Sequence, residues 1–209
     1  MIKHHEFERA LEVLLENVDA IASTWDKPEQ GKAYSLIAYT FFLMHDYNKS
    51  NVYYELQLSI AKEIKDLTGE ADALHGLGNN HGRVGDFEKA TEYLDQELVA
   101  LSKLGDIFGQ GRVCSVMGDV LLAQDGREKE AIEMFRKASG ILETCDDPEG
   151  LSQVLCQLGE AYTRIEAWND AITALEQSIS ISASIDFELD RNKRQSQAYQ
   201  VLGQTCLEQ

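Results

Sequence analysis

The chain has 209 residues, of which 36 are acidic and 19 are basic, and its formal net charge is −17. So acidic a chain repels nucleic-acid phosphates and anionic lipid, which argues against nucleic acid and membrane as partners. Its four cysteines lack a close pair and zinc-like spacing, and no apolar run approaches a membrane-spanning length. We therefore expect a soluble cytoplasmic protein with free thiols.

A repeat of about 40 residues organises the chain. The tetrad Leu77–Asn80 returns as Met117–Val120 and again as Leu158–Ala161, so the glycines are spaced by 118 − 78 = 40 and 159 − 118 = 41 residues. A fixed period in this range is typical of a repeat array rather than of one globular core. Three columns keep the register: small residues (Ala38, Gly78, Gly118, Gly159, Gly203), alanine-type residues (Ala10, Ser50, Ala90, Ala131, Ala171) and large apolar residues (Leu14, Tyr54, Leu94, Phe135, Leu175).

The predicted elements follow one another in chain order. A leading half unit, residues 1–28, matches the second helix of a repeat. Four full units then occupy about residues 29–68, 69–108, 109–149 and 150–189, and a trailing half unit, 190–209, matches a first helix. The whole chain is predicted to be a single solenoid domain.

Each full unit is predicted to be a helix, a tight turn and a second helix. Apolar residues recur at helical intervals, as they do from Ala90 to Leu101. Glycine ends the first helix at the turn, and glycine with proline punctuates the joints between units. The turn glycines are Gly85 and Gly126, and the joints contain Gly69, Gly105 and the segment 146–150.

The columns also predict how the helices pack. Short side chains in the small-residue and alanine-type columns let two helices approach closely, and the large apolar columns fill the space on either side. Such a unit cannot bury its apolar face alone and must stack on a neighbour. We therefore expect few contacts between segments that are distant in sequence.

The second full unit contains a recognisable motif. Leu77–Asn79 is followed by Gly85–Ala90 and then by Tyr93 and Leu94. This pattern resembles the tetratricopeptide repeat, and the long unit, with Gly109–Arg112 at a joint, resembles the subclass of the Pins/LGN spindle-orientation adaptors. The resemblance implies an all-α tetratricopeptide-like solenoid of antiparallel helix pairs in a right-handed superhelix. The chain departs from the family at His81, Glu97 and Ser50, where a tyrosine and two alanines are usual.

The resemblance also implies where a ligand lies. In tetratricopeptide superhelices the first helices line a concave groove that holds an extended peptide or a partner protein. Counting from the glycine column selects as candidate groove residues Lys32, Tyr39, His75, Asn79, Arg83, Arg112, Asp119, Gln157, Glu160 and Arg164. The same count places Ser35, Asp72, Gly76, Gly82, Ser115 and Cys156 on this face.

A glycine-rich stretch, His75–Gly82, falls on the predicted groove face. Glycine inside a helix costs roughly 1 kcal/mol relative to alanine, so the stretch needs a reason. One interpretation is a low groove floor that admits a peptide backbone, with the Asn79 amide as donor and acceptor. The other is a locally loose helix. The glycine order fits neither the dinucleotide fingerprint nor a P-loop, so no phosphate site is expected.

The groove arginines also have two interpretations. Arg83, Arg112 and Arg164 can pair with acidic side chains of a ligand, or with acidic residues of the chain itself. The candidates for internal pairing are Asp72, Asp119 and Glu160. A clamp for a chaperone's C-terminal tail is not expected, because the position that needs lysine holds Ser35, His75, Ser115 and Cys156.

No group of residues indicates catalysis or a cofactor. His4 and His5 are adjacent and face different ways on a helix, and His75 and His81 share no helix face, so no metal site is expected. No nucleophile elbow or pair of carboxylates emerges. The only basic cluster, Asp190–Arg194, is interpreted as a solvated loop or helix start, or as a docking spot for an acidic partner.

These observations favour a non-enzymatic scaffold that binds a protein or an extended peptide in its groove. Two alternatives stay open. Neither end resembles a polar cap, so the chain is either a fragment of a longer array or an array that stacks end to end into a homo-oligomer. The other alternative is a sensor of a peptide or small molecule, as in bacterial tetratricopeptide regulators.

Overall fold

A computed structural model describes residues 9, 11–15, 26–184 and 188–208. The predicted leading half unit, with His4 and His5, lies largely outside these residues, although 11–15 are helical. No strand occurs in the described ranges. From residue 27 onward the described helices are α1 (Lys27–Leu43), α2 (Tyr47–Ile64), α3 (Leu67–Val84), α4 (Phe87–Leu104), α5 (Ile107–Leu122), α6 (Glu128–Thr144), α7 (Pro148–Arg164), α8 (Trp168–Ala183) and α9 (Glu188–Glu208).

Contacts divide the chain into two compact units, Met1–Gly105 and Asp106–Gln209, which we name unit N and unit C. In unit N, α1 pairs with α2 and α3 with α4, while α2 packs on α3 and α1 touches α3. In unit C, α5 pairs with α6 and α7 with α8, while α6 packs on α7 and α9 covers α7 and α8. The predicted helix–turn–helix units therefore match one helix pair each.

A capping pattern with half the predicted period sets the helix starts. An aspartate precedes each of the first five of these helices at a spacing of 46 − 26 = 20 residues. The carboxylate of Asp46 accepts from the Lys49 backbone N–H at 3.1 Å, and that of Asp106 accepts from the Gly109 N–H at 2.8 Å. Both bonds satisfy a donor that the first helical turn leaves unpaired, whereas Asp86 makes no side-chain cap hydrogen bond. The five aspartates are Asp26, Asp46, Asp66, Asp86 and Asp106.

The predicted joints at Gly69 and Gly150 are wrong by a few residues. Helix α3 begins at Leu67 and α7 at Pro148, so both glycines lie in the first helical turn. An ideal Cβ at Gly150 would lie 2.3 Å from Asp147 Oδ2. Glycine at this position makes room for the capping carboxylate instead of reversing the chain.

Gly85 ends α3 as predicted, and Gly105, a predicted joint glycine, ends α4 in the same way. Gly85 and Gly105 adopt left-handed conformations, with φ of 81° and 69°. This backbone region carries a steric penalty for residues with a Cβ, so glycine suits it. Gly126, in the turn between α5 and α6, is also left-handed, with φ of 83°. The prediction that it ends α5 is wrong, because that helix ends at Leu122 with Ala123 as its C-cap.

Glycine also shapes the core, in a way that differs from the expected packing. An ideal Cβ at Gly118 would lie 2.4 Å from the ring of Phe135, which is fully buried. The large side chain of the second helix therefore sits directly on the glycine of the first, not beside it. The same contact joins Gly78 to Leu94 and Gly159 to Leu175.

We expect Gly118→Ala to destabilise the protein, because the rigid, buried Phe135 ring must move to accept a methyl group. The free energy of unfolding should fall by about 1–3 kcal/mol. Gly140→Ala is the matched control: Gly140 lies within α6 and nothing approaches its Cβ position within 4 Å. That change should stabilise the protein by up to about 1 kcal/mol through helix propensity. Urea titration followed by circular dichroism measures both, and equal effects of the two substitutions would contradict the packing.

Candidate peptide-binding groove

The predicted groove residues divide equally between the two units and lie on first helices of the helix pairs. Unit N carries one set on α1 and α3, and unit C carries the other on α5 and α7. The first set is Lys32, Tyr39, His75, Asn79 and Arg83, and the second is Arg112, Asp119, Gln157, Glu160 and Arg164.

In unit N, three of these residues follow one face of α3. His75, Asn79 and Arg83 are spaced by four residues, which places them above one another on a helix. The Nδ1 of His75 lies 3.0 Å from Oε1 of the buried Glu97, so a contact with α4 fixes the imidazole ring. Asn79 is half-buried and Arg83 is exposed, and neither side chain makes a hydrogen bond or ion pair with a described residue.

The neighbouring first helix, α1, presents an aromatic and apolar surface. Tyr39 is 53% exposed, and its ring stacks against Phe42 with centroids 6.2 Å apart. Leu36 and Leu43 are also exposed on this helix. Lys32 is engaged within the helix, because its Nζ lies 2.9 Å from Glu29 Oε1.

A cavity of about 480 Å³ lies between the N-terminal parts of α1 and α3, with the C-terminal part of α2 among its walls. We call it the α1–α3 cavity. Two predicted groove positions of α1, Lys32 and Ser35, and one of α3, Asp72, line it. Pockets of this size hold small ligands or single side chains of a bound peptide.

Gln57 of α2 is a lining residue that the sequence analysis missed. Its side chain is 5% exposed, and its Nε2 donates to the Gly69 carbonyl at 3.3 Å. Its Oε1 is buried and has no partner among the described residues. The sequence held a signal for this residue. Gln57 occupies the same repeat position as Glu97, since 97 − 57 = 40, and both are polar where the family usually has alanine.

The structure gives Gly76 a role that neither predicted interpretation included. An ideal Cβ at Gly76 would lie 2.4 Å from the ring of Tyr54, a buried residue of α2. Glycine is therefore needed inside unit N, where α2 packs on α3. Burial of the same ring raises the pKa of Tyr54 to about 12.

The departures Ser50 and His81 belong to a polar cluster between α2 and α3. Buried Asn80 donates through Nδ2 to Ser50 Oγ at 2.9 Å and to Asn51 Oδ1 at 2.7 Å. The hydroxyl of Ser50 donates to the Ala38 carbonyl at 2.8 Å. His81 joins this cluster through its Nε2, which lies 3.4 Å from Asn51 Nδ2, and its ring stacks on Tyr93 of α4 with centroids 5.5 Å apart. These polar residues therefore hold the hairpins together.

In unit C, most of the predicted groove residues bind each other. Gln157 Nε2 donates to Asp119 Oδ1 at 2.6 Å, and Ser115 Oγ donates to Gln157 Oε1 at 3.1 Å. Arg164 donates to Glu160 at 2.9 Å and also to a backbone carbonyl of α5. The internal interpretation therefore holds for Arg164. Arg112 is exposed and makes no such contact with a described residue.

Cys156 stands on the predicted groove face but is buried. It is 5% exposed and packs with Leu175 and Ala198. Burial raises the pKa of its thiol to about 11, with a smaller contribution from Glu160. This side chain is therefore not available to a ligand.

The described residues offer little support for other kinds of site. They include no group of three or more His, Cys, Asp or Glu side chains that could hold a metal ion. None of the helices searched in this part of the chain has the length and apolar character needed to cross a membrane. The cluster predicted at 190–194 falls in the backbone of α9, as a helix start.

Comparison with known proteins agrees with the geometry. Residues 29–110, which span α1 to α4, match the tetratricopeptide repeat family. This segment carries tetratricopeptide repeats. It is 28% identical over 108 residues to Tetratricopeptide repeat protein 29 of Trypanosoma brucei brucei, and these residues are 52% of the chain and 22% of that protein. The chain thus spans about a fifth of this relative's length.

Solved structures share the all-α fold of helix pairs. BtubC from P. vanneervenii has a TM-score of 0.82 and 18% identity, over 95% of this chain and 82% of that one. A Pyrococcus horikoshii signal-transduction ATPase with a tetratricopeptide repeat sensor has a TM-score of 0.80 and 18% identity, over 98% of this chain and 30% of that one. The predicted all-α, tetratricopeptide-like fold is confirmed.

Two of the four thiols should react fast in the native protein. Cys145 and Cys206 are exposed, whereas Cys114 and Cys156 are buried and have raised thiol pKa values. A raised pKa lowers the thiolate fraction in mildly alkaline buffer, and burial blocks the reagent. Ellman's reagent followed by peptide mapping measures the order, with the denatured protein as the control in which all four react. Reaction of Cys156 as fast as Cys145 would place it on an open surface.

Proposed function

We propose that this chain is a non-enzymatic scaffold that holds an extended peptide segment of a partner protein along α1 and α3 of unit N. The observation that carries the proposal is the pair Asn79 and Arg83. Both lie on one face of α3, and neither has a hydrogen-bond or ion-pair partner among the described residues. Side chains that fold stability does not use remain available to a ligand.

The chemistry of this face suits a peptide. The Asn79 amide has a donor and an acceptor, which match the carbonyl and N–H of a peptide backbone. Arg83 can take a carboxylate of the partner in a bidentate contact. Exposed Tyr39 adds an aromatic surface at the equivalent position of α1, since 79 − 39 = 40. A stacked or apolar side chain of the partner can pack there.

The same comparison within unit C explains why we place the peptide on unit N. There, Asp119, Gln157, Glu160 and Arg164 already satisfy one another. A ligand would have to replace these bonds before it gained any affinity. Arg112 is the predicted groove residue of unit C that makes no hydrogen bond or ion pair with a described residue.

Proteins of this fold are known with bound factors. One solved structure is a Rap protein complexed with Competence and Sporulation Factor, with a TM-score of 0.77 and 18% identity, over 98% of this chain and 59% of that one. This supports a ligand-binding role for the fold, not a particular ligand. We place the scaffold in the cytoplasm because its four cysteines are free, as is usual in a reducing compartment.

The test uses peptides selected from a phage-displayed random library on the full chain. Affinity of the selected peptides should fall about three- to tenfold in Asn79→Ala, because a backbone hydrogen bond contributes about 0.5–1.5 kcal/mol. Arg83→Ala should weaken the binding of acidic peptides by a smaller factor, because an exposed ion pair contributes about 0.2–1 kcal/mol. Fluorescence anisotropy measures both.

Matched controls lie on second helices. Asn48→Ala on α2 removes the same amide group, and Lys103→Ala on α4 removes another cationic side chain, both from exposed positions. Both should leave affinity unchanged. If Asn79→Ala and Arg83→Ala behave like these controls, the peptide does not use this face and the proposal fails.

A further inference from the structure

The α1–α3 cavity has a composition that a peptide backbone does not need. Its apolar walls come from two helices: Leu36 and the aliphatic part of the Lys32 side chain from α1, and Ile60, Ala61 and Ile64 from α2. Such walls suit a long methylene chain, which gains from leaving water but needs no specific partner. An ideal Cβ at Gly31 would be in van der Waals contact with a methyl group of Ile60, at 3.7 Å, so Gly31 also faces this apolar wall.

One wall residue lacks a hydrogen bond that burial demands. Gln57 is 5% exposed, and its Oε1 has no partner among the described residues. The amide cannot be turned over to solve this, because its Nε2 faces the Gly69 carbonyl, which only accepts. A buried acceptor without a donor is unfavourable, so a ligand that brings an N–H group to it gains an additional interaction.

The charge around the cavity is acidic. Asp66 and Asp72 line it, and Lys32 is the lining cation. The Lys32 ammonium is already paired with Glu29 at 2.9 Å, and this hydrogen bond and charge raise its pKa. Asp66 caps α3 by accepting from the Thr68 N–H at 3.2 Å. These two carboxylates would repel an anionic ligand from the cavity and attract a cation.

We propose that the α1–α3 cavity receives a long basic side chain, lysine or arginine, from the bound peptide. The aliphatic stem lies against Leu36, Ile60 and Ile64. The charged group donates to Gln57 Oε1 and is neutralised by Asp66 and Asp72. This assignment rests on the proposed peptide scaffold and adds the chemical class of one ligand residue.

The cavity and the Asn79 contact are separate enough to be tested apart. Asp72 and Asn79 are seven residues apart on α3, which corresponds to about 10 Å along the helix axis. A side-chain mimic can therefore probe the cavity without a peptide.

The first experiment titrates the full chain with n-butylguanidinium chloride, which reproduces an arginine side chain, and follows the backbone amides of Gly31 and Gly69 by NMR. The amide signals of both glycines should shift and saturate. Neutral n-butylurea has a similar shape and also carries N–H donors, and it should bind at least threefold more weakly.

Three variants make the assignment specific. Gln57→Met keeps the volume and removes the acceptor, and should weaken n-butylguanidinium binding about tenfold. Asp66→Asn with Asp72→Asn should weaken it three- to tenfold, and asparagine at 66 still caps the helix. Ser35→Leu fills the cavity from α1 and should abolish binding. Circular dichroism confirms that each variant is folded.

The outcomes separate the cavity from the groove. Asn79→Ala should leave n-butylguanidinium binding unchanged, so loss of peptide binding in that variant and loss of the mimic in Gln57→Met report on different contacts. Three outcomes would overturn the cavity assignment. They are NMR shifts spread over the acidic surface, equal binding of n-butylurea, and n-butylguanidinium binding that is unchanged in both Gln57→Met and the double aspartate variant. If no peptide is selected but n-butylguanidinium binds saturably, the proposed function is overturned and the cavity assignment is not.

In the second experiment, each lysine of a selected peptide is replaced by norleucine and each arginine by citrulline. One of these replacements should weaken binding to the wild-type chain about tenfold and binding to Gln57→Met by less. Equal losses on both proteins would show that the basic residue binds elsewhere.

Discussion

The contact between a large side chain of one helix and a glycine of its partner is what the described hairpins depend on. Leu94 lies on Gly78, Phe135 lies on Gly118, and Leu175 lies on Gly159. In the first described hairpin, Ala38 and Tyr54 belong to one buried cluster and occupy the equivalent positions. Because each large residue fills the space of the missing Cβ, this contact fixes the axial offset and the rotation of one helix relative to its partner. The repeat spacing of about 40 residues follows from this contact, since it can recur only when both helices and their turns have the same length in every unit.

Locking the pairs in this way also determines which faces remain for a ligand. In each pair, the large apolar side chains of the second helix pack on the small residues of the first helix. The remaining face of each first helix is then free to carry polar residues. In unit N, Asn79 and Arg83 on this face have no hydrogen-bond or ion-pair partner among the described residues, whereas in unit C Gln157 and Arg164 are bound to their neighbours. Repeats with the same packing columns can therefore differ in which polar side chains are available to bind a partner.

The features that sequence analysis predicted are those that neighbouring residues encode. Gly85 ends α3 in a left-handed conformation, and the spacing of Ala90 and Leu94 follows one face of α4. Helix periodicity and helix ends are readable from a few adjacent residues. Predictions were wrong for residues whose role depends on a contact with another helix. Gly76 looked like a groove floor or a loose helix, and it is needed by Tyr54 of α2; Cys156 was counted as a groove residue, and it is buried against α8 and α9.

The sequence by itself determined that this chain forms helical hairpins with a repeat spacing of about 40 residues, and that their first helices hold the variable polar residues. Both follow from periodic burial and capping, which act over a few residues and recur with the repeat. Only the tertiary structure decided which polar groups remain free and where space remains. The pairing of Arg164, the unpartnered oxygen of Gln57 and the α1–α3 cavity each depend on distances between helices that are far apart in the chain. Such distances are determined by side-chain packing on several helices at once, which no local pattern in the sequence records.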